Sequence, residues 1–288
     1  TKLSPFGQNP ELAKERRGEV LKLMRINKFI TPKQEEEAGR QEVKITPGNK
    51  DIKAPHFVMY VRQILVERYG EDMVEKGGLE VTTTLDYEVQ KMAEQVVRQE
   101  IEKLKNLRVG NGAVMVINPQ AGEILAMVGS KDYFDTNGGN VNVALRLRQP
   151  GSSIKIVNYS YALAHGFTPA TILDDSPTIF RVAGLPAYTP RNYDGEFRGR
   201  LTIRSALAQS RNIPAVKVLA SYGVTKMIEQ GSAMGITSWQ DPSNYGLSLT
   251  LGGGDVKLID LAQVFTTVAG MGKKPDITAI TLVKKYKE

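Results

Sequence analysis

The chain has no cysteine and only two histidines, His56 and His165, in 288 residues. The first absence excludes disulfides, zinc–thiolate centres and cysteine nucleophiles. The second excludes a histidine-rich metal site, and His56 reads as a helix-start residue because no second ligand lies near it. No apolar run approaches the roughly 18 residues of a membrane span, and the first residues do not form a signal peptide. Lys and Arg do not gather into a stripe with interleaved aromatics, so nucleic acid is not an expected partner. The chain opens at Thr1 without a methionine, and the expectation is a piece processed or cut from a longer protein.

What is present describes a globular protein: 41% hydrophobic residues, mixed charge and a formal net charge of +7. The length allows one large domain or two smaller ones. The positive excess is local, with ten Lys/Arg against four Asp/Glu in residues 146–217. Most of those charges read as a solvated face, but a cationic neighbourhood also suits a carboxylate-bearing substrate or an anionic envelope polymer.

Within that neighbourhood lies Arg148-Gln149-Pro150-Gly151-Ser152-Ser153-Ile154-Lys155. Pro-Gly breaks the chain, and a helix started after Gly151 places Ser152 and Lys155 on one face. Ser152 then occupies a first turn, where free N–H groups and a positive dipole can stabilise an oxyanion. The same field, with burial, favours a neutral Lys155 able to act as a base. This is the layout of a serine acyltransferase that needs no histidine. Ser-x-x-Lys also arises by chance about once per few hundred residues. The competing account is a solvated helix start, and other motifs have to decide.

Elsewhere the periodicities are clear. Asn9-Pro10-Glu11 and Thr31-Pro32 are helix starts, residues 44–55 read as a linker, and His56–Tyr69 is amphipathic. Residues 79–85 alternate like a strand. Asp86 caps a helix whose apolar positions Val89, Met92, Ala93, Val96, Val97, Ile101 and Leu104 are expected in the core. Ala113–Ile117 and Glu123–Val128 form a hairpin, apolar on both arms and therefore expected under helices. Residues 132–142 and 174–200, rich in turn formers, read as loops. Ser210-Arg211-Asn212-Ile213-Pro214 interrupts two helical pieces, with Pro214 expected to keep Ile213 out of the helical region. Asp255 is expected to cap an apolar helix over 256–268, and the glycines before it lack the Lys-Ser/Thr of a phosphate loop.

Ser152-x-x-Lys155 followed by Ser210-x-Asn212 resembles the penicillin-binding, active-site-serine transpeptidases. GLEVTTTLD (78–86), VMVINPQAGEILAMVG (114–129), RQPGSSIK (148–155), residues 191–216 and LTLGGGDV (249–256) sharpen the likeness to the bifunctional class A penicillin-binding proteins. The resemblance implies an α+β fold of the penicillin-binding/β-lactamase-like type, an antiparallel sheet covered by helices, with its C-terminal strands missing. It implies three regions: residues 1–51 as the tail of a glycosyltransferase domain and linker, 52–110 as a linker region, and 111–288 as an incomplete transpeptidase domain. Ser152 is then the nucleophile acylated by a D-Ala-D-Ala stem peptide and Lys155 its base. Ser210 relays a proton to the leaving D-alanine, and Asn212 hydrogen-bonds the substrate backbone. No cofactor or metal is implied. The implied partners are peptidoglycan stem peptides, β-lactam antibiotics and the cell-wall synthesis machinery, with the complete protein anchored upstream to the outer face of the bacterial cytoplasmic membrane. The family's Lys-Thr-Gly motif is absent, since Gly272-Lys273-Lys274-Pro275 does not replace it. The isolated chain is therefore expected to aggregate and to react poorly with penicillin. The readings that compete with a transpeptidase are a β-lactamase-like hydrolase or D,D-carboxypeptidase, and a non-catalytic envelope sensor.

Overall fold

A computed structural model describes residues 11–41, 52–181 and 187–285. The helix-start residues Asn9 and Pro10, most of the 44–55 linker and part of the 174–200 loop lie outside them. The chain divides into two compact units, Thr1–Lys53 and Ala54–Glu288.

In the smaller unit, α1 (Glu11–Ile26) and α2 (Pro32–Arg40) form a helical hairpin. Thr31 starts α2 with a capping box: its hydroxyl accepts from the Gln34 N–H, and the Gln34 side chain accepts from the Thr31 N–H. Arg17 ties the two ends by donating to the carbonyls of Gln41 and Gly39 at 2.9 and 3.0 Å.

The larger unit begins with α3 (Pro55–Tyr69) and α4 (Glu71–Lys76). Phe57, Val61 and Leu65, spaced one turn apart, are buried along α3. Next come β1 (Glu80–Thr83), α5 (Tyr87–Leu104), β2 (Val114–Ile117) and β3 (Ile124–Val128). The β2–β3 hairpin is antiparallel, with Val114 opposite Val128. Helices cover β3: Ile124 and Met127 pack with Phe57 and Leu65 of α3, and Ala126 and Val128 pack with Ala93, Val97 and Ile101 of α5. The buried stripe of α5 is narrower than the sequence suggests. Met92, Val96 and Leu104 are exposed, and the buried stripe of Ala93, Val97 and Ile101 also takes in Gln90. Its amide accepts from the Met127 N–H at 2.8 Å and donates to the Met127 carbonyl at 3.2 Å. A buried amide bonded this way stands in for a neighbouring strand and closes that edge of β3.

A helical lobe follows, with α6 (Lys155–Ala164), β4 (Ile172–Asp175), β5 (Gly199–Thr202), α7 (Ile203–Ala208), α8 (Asn212–Tyr222), α9 (Val224–Met234) and α10 (Leu258–Ala269). Its core gathers Ile154, Val157, Leu219, Met227, Trp239, Leu249 and Val264. Asn158, fully buried on α6, donates to the Ala215 carbonyl at 2.8 Å and to Thr250 Oγ1 at 2.7 Å, cross-linking α6, α8 and the 247–251 turn.

Two helix starts differ from the sequence reading. Asp255 does not cap α10. Val256 exchanges both backbone hydrogen bonds with Arg148 at 2.9 Å, which holds the segment extended and delays the helix to Leu258, behind Lys257. Ile213 is helical despite Pro214, because Pro214 sits in the first turn of α8, where its missing N–H is not needed. The last strand, β6 (Ile280–Lys284), pairs antiparallel with β1, Val81 opposite Val283. Mixed helices and short antiparallel strands make the fold class α+β.

Candidate active site

Ser152 lies on a tight 3₁₀ turn, Gly151–Ile154, that runs directly into α6. Gly252 sets the position of that turn. It has a φ of +98°, and a Cβ there would lie 2.5 Å from the Gly151 Cα, so only glycine permits the approach. The Ser152 side chain is exposed, and its hydroxyl makes no hydrogen bond among the described residues.

Lys155, the first residue of α6, is 1% exposed. Its Nζ donates to the Ser210 carbonyl at 2.6 Å, to Ser210 Oγ at 3.2 Å and to Asn212 Oδ1 at 2.7 Å. Three acceptors match the three protons of an ammonium. The expected meeting of Ser152 and Lys155 is thus not a hydrogen bond in this state. A 3₁₀ turn puts residues i and i+3 on one face, but the three acceptors around Ser210 hold the amine. Burial, and then the charge of Arg211, lower the Lys155 pKa to about 8.

Ser210 follows α7 in the left-handed region, at φ +52°. For a residue with a Cβ this costs on the order of 1–2 kcal/mol. The turn is held by backbone bonds, Ser210 N–H to the Leu207 carbonyl at 3.0 Å and Arg211 N–H to the Ala206 carbonyl at 2.9 Å. It turns the Ser210 carbonyl toward Lys155.

Behind the turn is a buried network absent from the sequence reading. Arg211 is 5% exposed and Asp175, at the end of β4, is 0% exposed. Arg211 Nε donates to Asp175 Oδ2 and its Nη1 to Asp194 Oδ2, both at 2.8 Å, and its Nη2 donates to the Glu196 carbonyl. Asn192 donates to Asp175 Oδ1 at 2.7 Å and accepts from the Asn212 N–H at 2.8 Å. Asn212 in turn donates from Nδ2 to the Arg191 carbonyl at 2.8 Å, which aims its Oδ1 at the amine. The available signal was charge: Asp175 and Asp194 are two of the four acids in the basic 146–217 stretch. All four candidate residues therefore belong to one neighbourhood, Ser152 and Lys155 on a single turn and Ser210 and Asn212 around the amine. Among the described residues no cluster of His, Asp and Glu is gathered that could hold a metal.

The penicillin-binding protein transpeptidase domain matches residues 112–287, more than half of the chain. The chain belongs to that family. Its relatives are class A penicillin-binding proteins. It is 32% identical over 290 residues to penicillin-binding protein 2D of Bacillus subtilis, covering 97% of this chain and 41% of that protein. To penicillin-binding protein 1B of Vibrio cholerae it is 31% identical over 282 residues, covering 95% and 35%. The transpeptidase chain thus spans less than half the length of these curated relatives. In structure it is similar to penicillin-binding protein 1A from Haemophilus influenzae, with a TM-score of 0.74 at 20% identity over 99% of this chain and 56% of that one. It is also similar to PonA1 from Mycobacterium tuberculosis in complex with penicillin V, with a TM-score of 0.66 at 24% identity over 81% and 63%. At those identities the likeness is one of fold. No helix among the described residues is long and apolar enough to cross a membrane.

Proposed function

We propose that this transpeptidase domain works through a serine acyl-enzyme on peptides ending in D-Ala-D-Ala. One observation carries the reading: a buried amine of lowered pKa, three residues after an exposed serine, held by Ser210 and Asn212. In the neutral form, Lys155 Nζ takes the proton of Ser152 Oγ as the oxygen bonds to the carbonyl carbon of the penultimate D-alanine. Free N–H groups of the Gly151–Ile154 turn receive the oxyanion. The carbon–nitrogen bond then breaks, and the proton passes from Lys155 through the Ser210 hydroxyl to the departing amine of the last D-alanine. An acceptor amine reverses these steps, attacking the ester, losing its proton toward Lys155 and releasing Ser152. Asn212, fixed by Asn192 and Arg191, hydrogen-bonds the donor peptide. A β-lactam acylates Ser152 in the same way, but its leaving nitrogen stays tethered.

In the complete protein, residues 1–51 serve as the tail of a glycosyltransferase domain, 52–110 as a linker region and 111–288 as transpeptidase, at the outer face of the cytoplasmic membrane. Ser152→Ala in the complete protein tests the assignment. Covalent labelling by a fluorescent penicillin is expected to vanish while the thermal midpoint holds. Labelling that persists and maps by peptide mass to another serine would overturn it. The lifetime of the adduct separates this reading from a hydrolase, which would release the drug on the turnover timescale.

A further inference from the structure

Apart from the four residues of the acyl-enzyme site, the larger unit has an open cleft of ≈ 690 Å³ where α3, the 140–146 loop and the start of α10 meet. Arg146 and Lys257 reach this cleft from two segments laid side by side by the Arg148–Val256 bridge. Lys257 is half-buried, and neither cation has a carboxylate or carbonyl partner among the described residues. Two further polar groups in the lining make no side-chain hydrogen bond there, the half-buried Tyr60 hydroxyl and the Asn140 amide. Unpartnered cations usually extend into water. Here both line one open cleft, Arg146 exposed and Lys257 half-buried, beside the apolar side chains Leu145 and Ile259.

We propose that this cleft binds a small organic monocarboxylate, its carboxylate between Arg146 and Lys257 and its apolar body on Leu145 and Ile259. The charge balance selects a monoanion. The lining also holds Asp260, whose Oδ2 already accepts from the Thr237 N–H at 2.9 Å and the Thr237 hydroxyl at 2.6 Å. Two cations and one carboxylate leave a single net positive charge. A phosphate dianion would meet Asp260 without a second compensating charge. Arg146 offers the two-pronged donor geometry that a carboxylate fits, Lys257 a point charge. The acceptors left in the ligand are served by Tyr60 and Asn140.

The proposal is independent of the acyl-enzyme reading, and its test keeps the two apart. The probe is N-acetyl-L-leucine, a monocarboxylate with an apolar body and no D-Ala-D-Ala terminus, with its amide and inorganic phosphate as controls, titrated calorimetrically into the 288-residue chain. Binding of the acid, at least tenfold weaker binding of the amide and of phosphate, and unchanged binding to Ser152→Ala are expected. The Arg146→Gln/Lys257→Gln pair, checked for an unchanged thermal midpoint, is expected to weaken binding at least tenfold. Arg146→Lys/Lys257→Arg, which conserves charge, is expected to retain it. No heat at millimolar probe, equal binding by the double variant, equal binding of phosphate or of the amide, or loss in Ser152→Ala would each overturn the proposal.

Discussion

Lys155 is held between two demands. A base must be neutral, yet three acceptors within 3.2 Å of Nζ stabilise the ammonium. Burial and Arg211 prevail over them and bring the pKa to about 8. Acylation by a labelled penicillin should therefore rise roughly tenfold per pH unit below that value and level off above it. Lys155→Arg should be as damaging as Lys155→Ala, because a guanidinium keeps the charge and cannot give up the proton. A flat pH profile, or near-parental acylation by the arginine variant, would reduce Lys155 to a fixed charge. His56 has the opposite consequence, for stability. Ser130 Oγ donates to the Gly139 carbonyl at 2.7 Å, so His56 Nε2, 2.8 Å from that oxygen, must be the donor of their bond. Its Nδ1 is buried with no hydrogen-bond partner among the described residues, and burial lowers the pKa from 6.5. A folded-state pKa below the unfolded one means that protons favour the unfolded chain. The His56 contribution to stability is complete above pH 6.5, falls as the pH drops through that value, and stops falling below the folded pKa. Urea midpoints at pH 7.5 and 5.5 should differ by more in the parent than in His56→Gln.

At the scale of elements, the Ser152 turn depends on one close backbone approach, and the Ser210 turn on backbone bonds backed by the Arg211 network. Gly252→Ala would place a methyl 2.5 Å from the Gly151 backbone, at a φ of +98°. The Ser152 turn has to move, so penicillin labelling should fall by more than tenfold while the core of Asn158, Ala215 and Thr250 keeps the helices assembled. Arg211→Ala leaves Asp175 buried with its charge unmatched, which typically costs about 3–5 kcal/mol. A denaturant midpoint within error of the parent would show that the pair does not hold the Ser210 turn. The same scale shows what could be read from the residues alone. Ser-x-x-Lys was legible because its partners are three residues apart, and the hairpin and the Asp86 cap because their signals are local. Arg211 was only the middle letter of a motif, since Asp175 and Asp194 lie 36 and 17 residues away. The exposure of Met92 and Val96 and the extended Val256 follow from neighbours far along the chain. So does β6, whose partner strand begins some two hundred residues earlier. Periodicity does not carry that information.

At the scale of the whole chain, the two edges of the β2–β3 hairpin differ. Gln90 occupies the β3 edge, whereas β2 pairs only with β3 among the described residues. Beside β2 runs an apolar groove of ≈ 480 Å³, lined by Met115, Ile117, Leu261 and Phe265, the last of these 47% exposed. Open backbone donors and acceptors next to an apolar groove form a template for another strand. Neither a charge nor a proline within Val114–Ile117 guards it. The 288-residue chain by itself should therefore self-associate through β2, with a mass in sedimentation that grows with concentration. Phe265→Lys puts a charge into the groove without touching the acyl-enzyme residues, and it should shift the equilibrium toward monomer. Its thermal midpoint should hold, since Phe265 is already half exposed. A parent chain that stays monomeric across the micromolar range, or a Phe265→Lys variant that associates as strongly as the parent, would show that this edge is closed in solution.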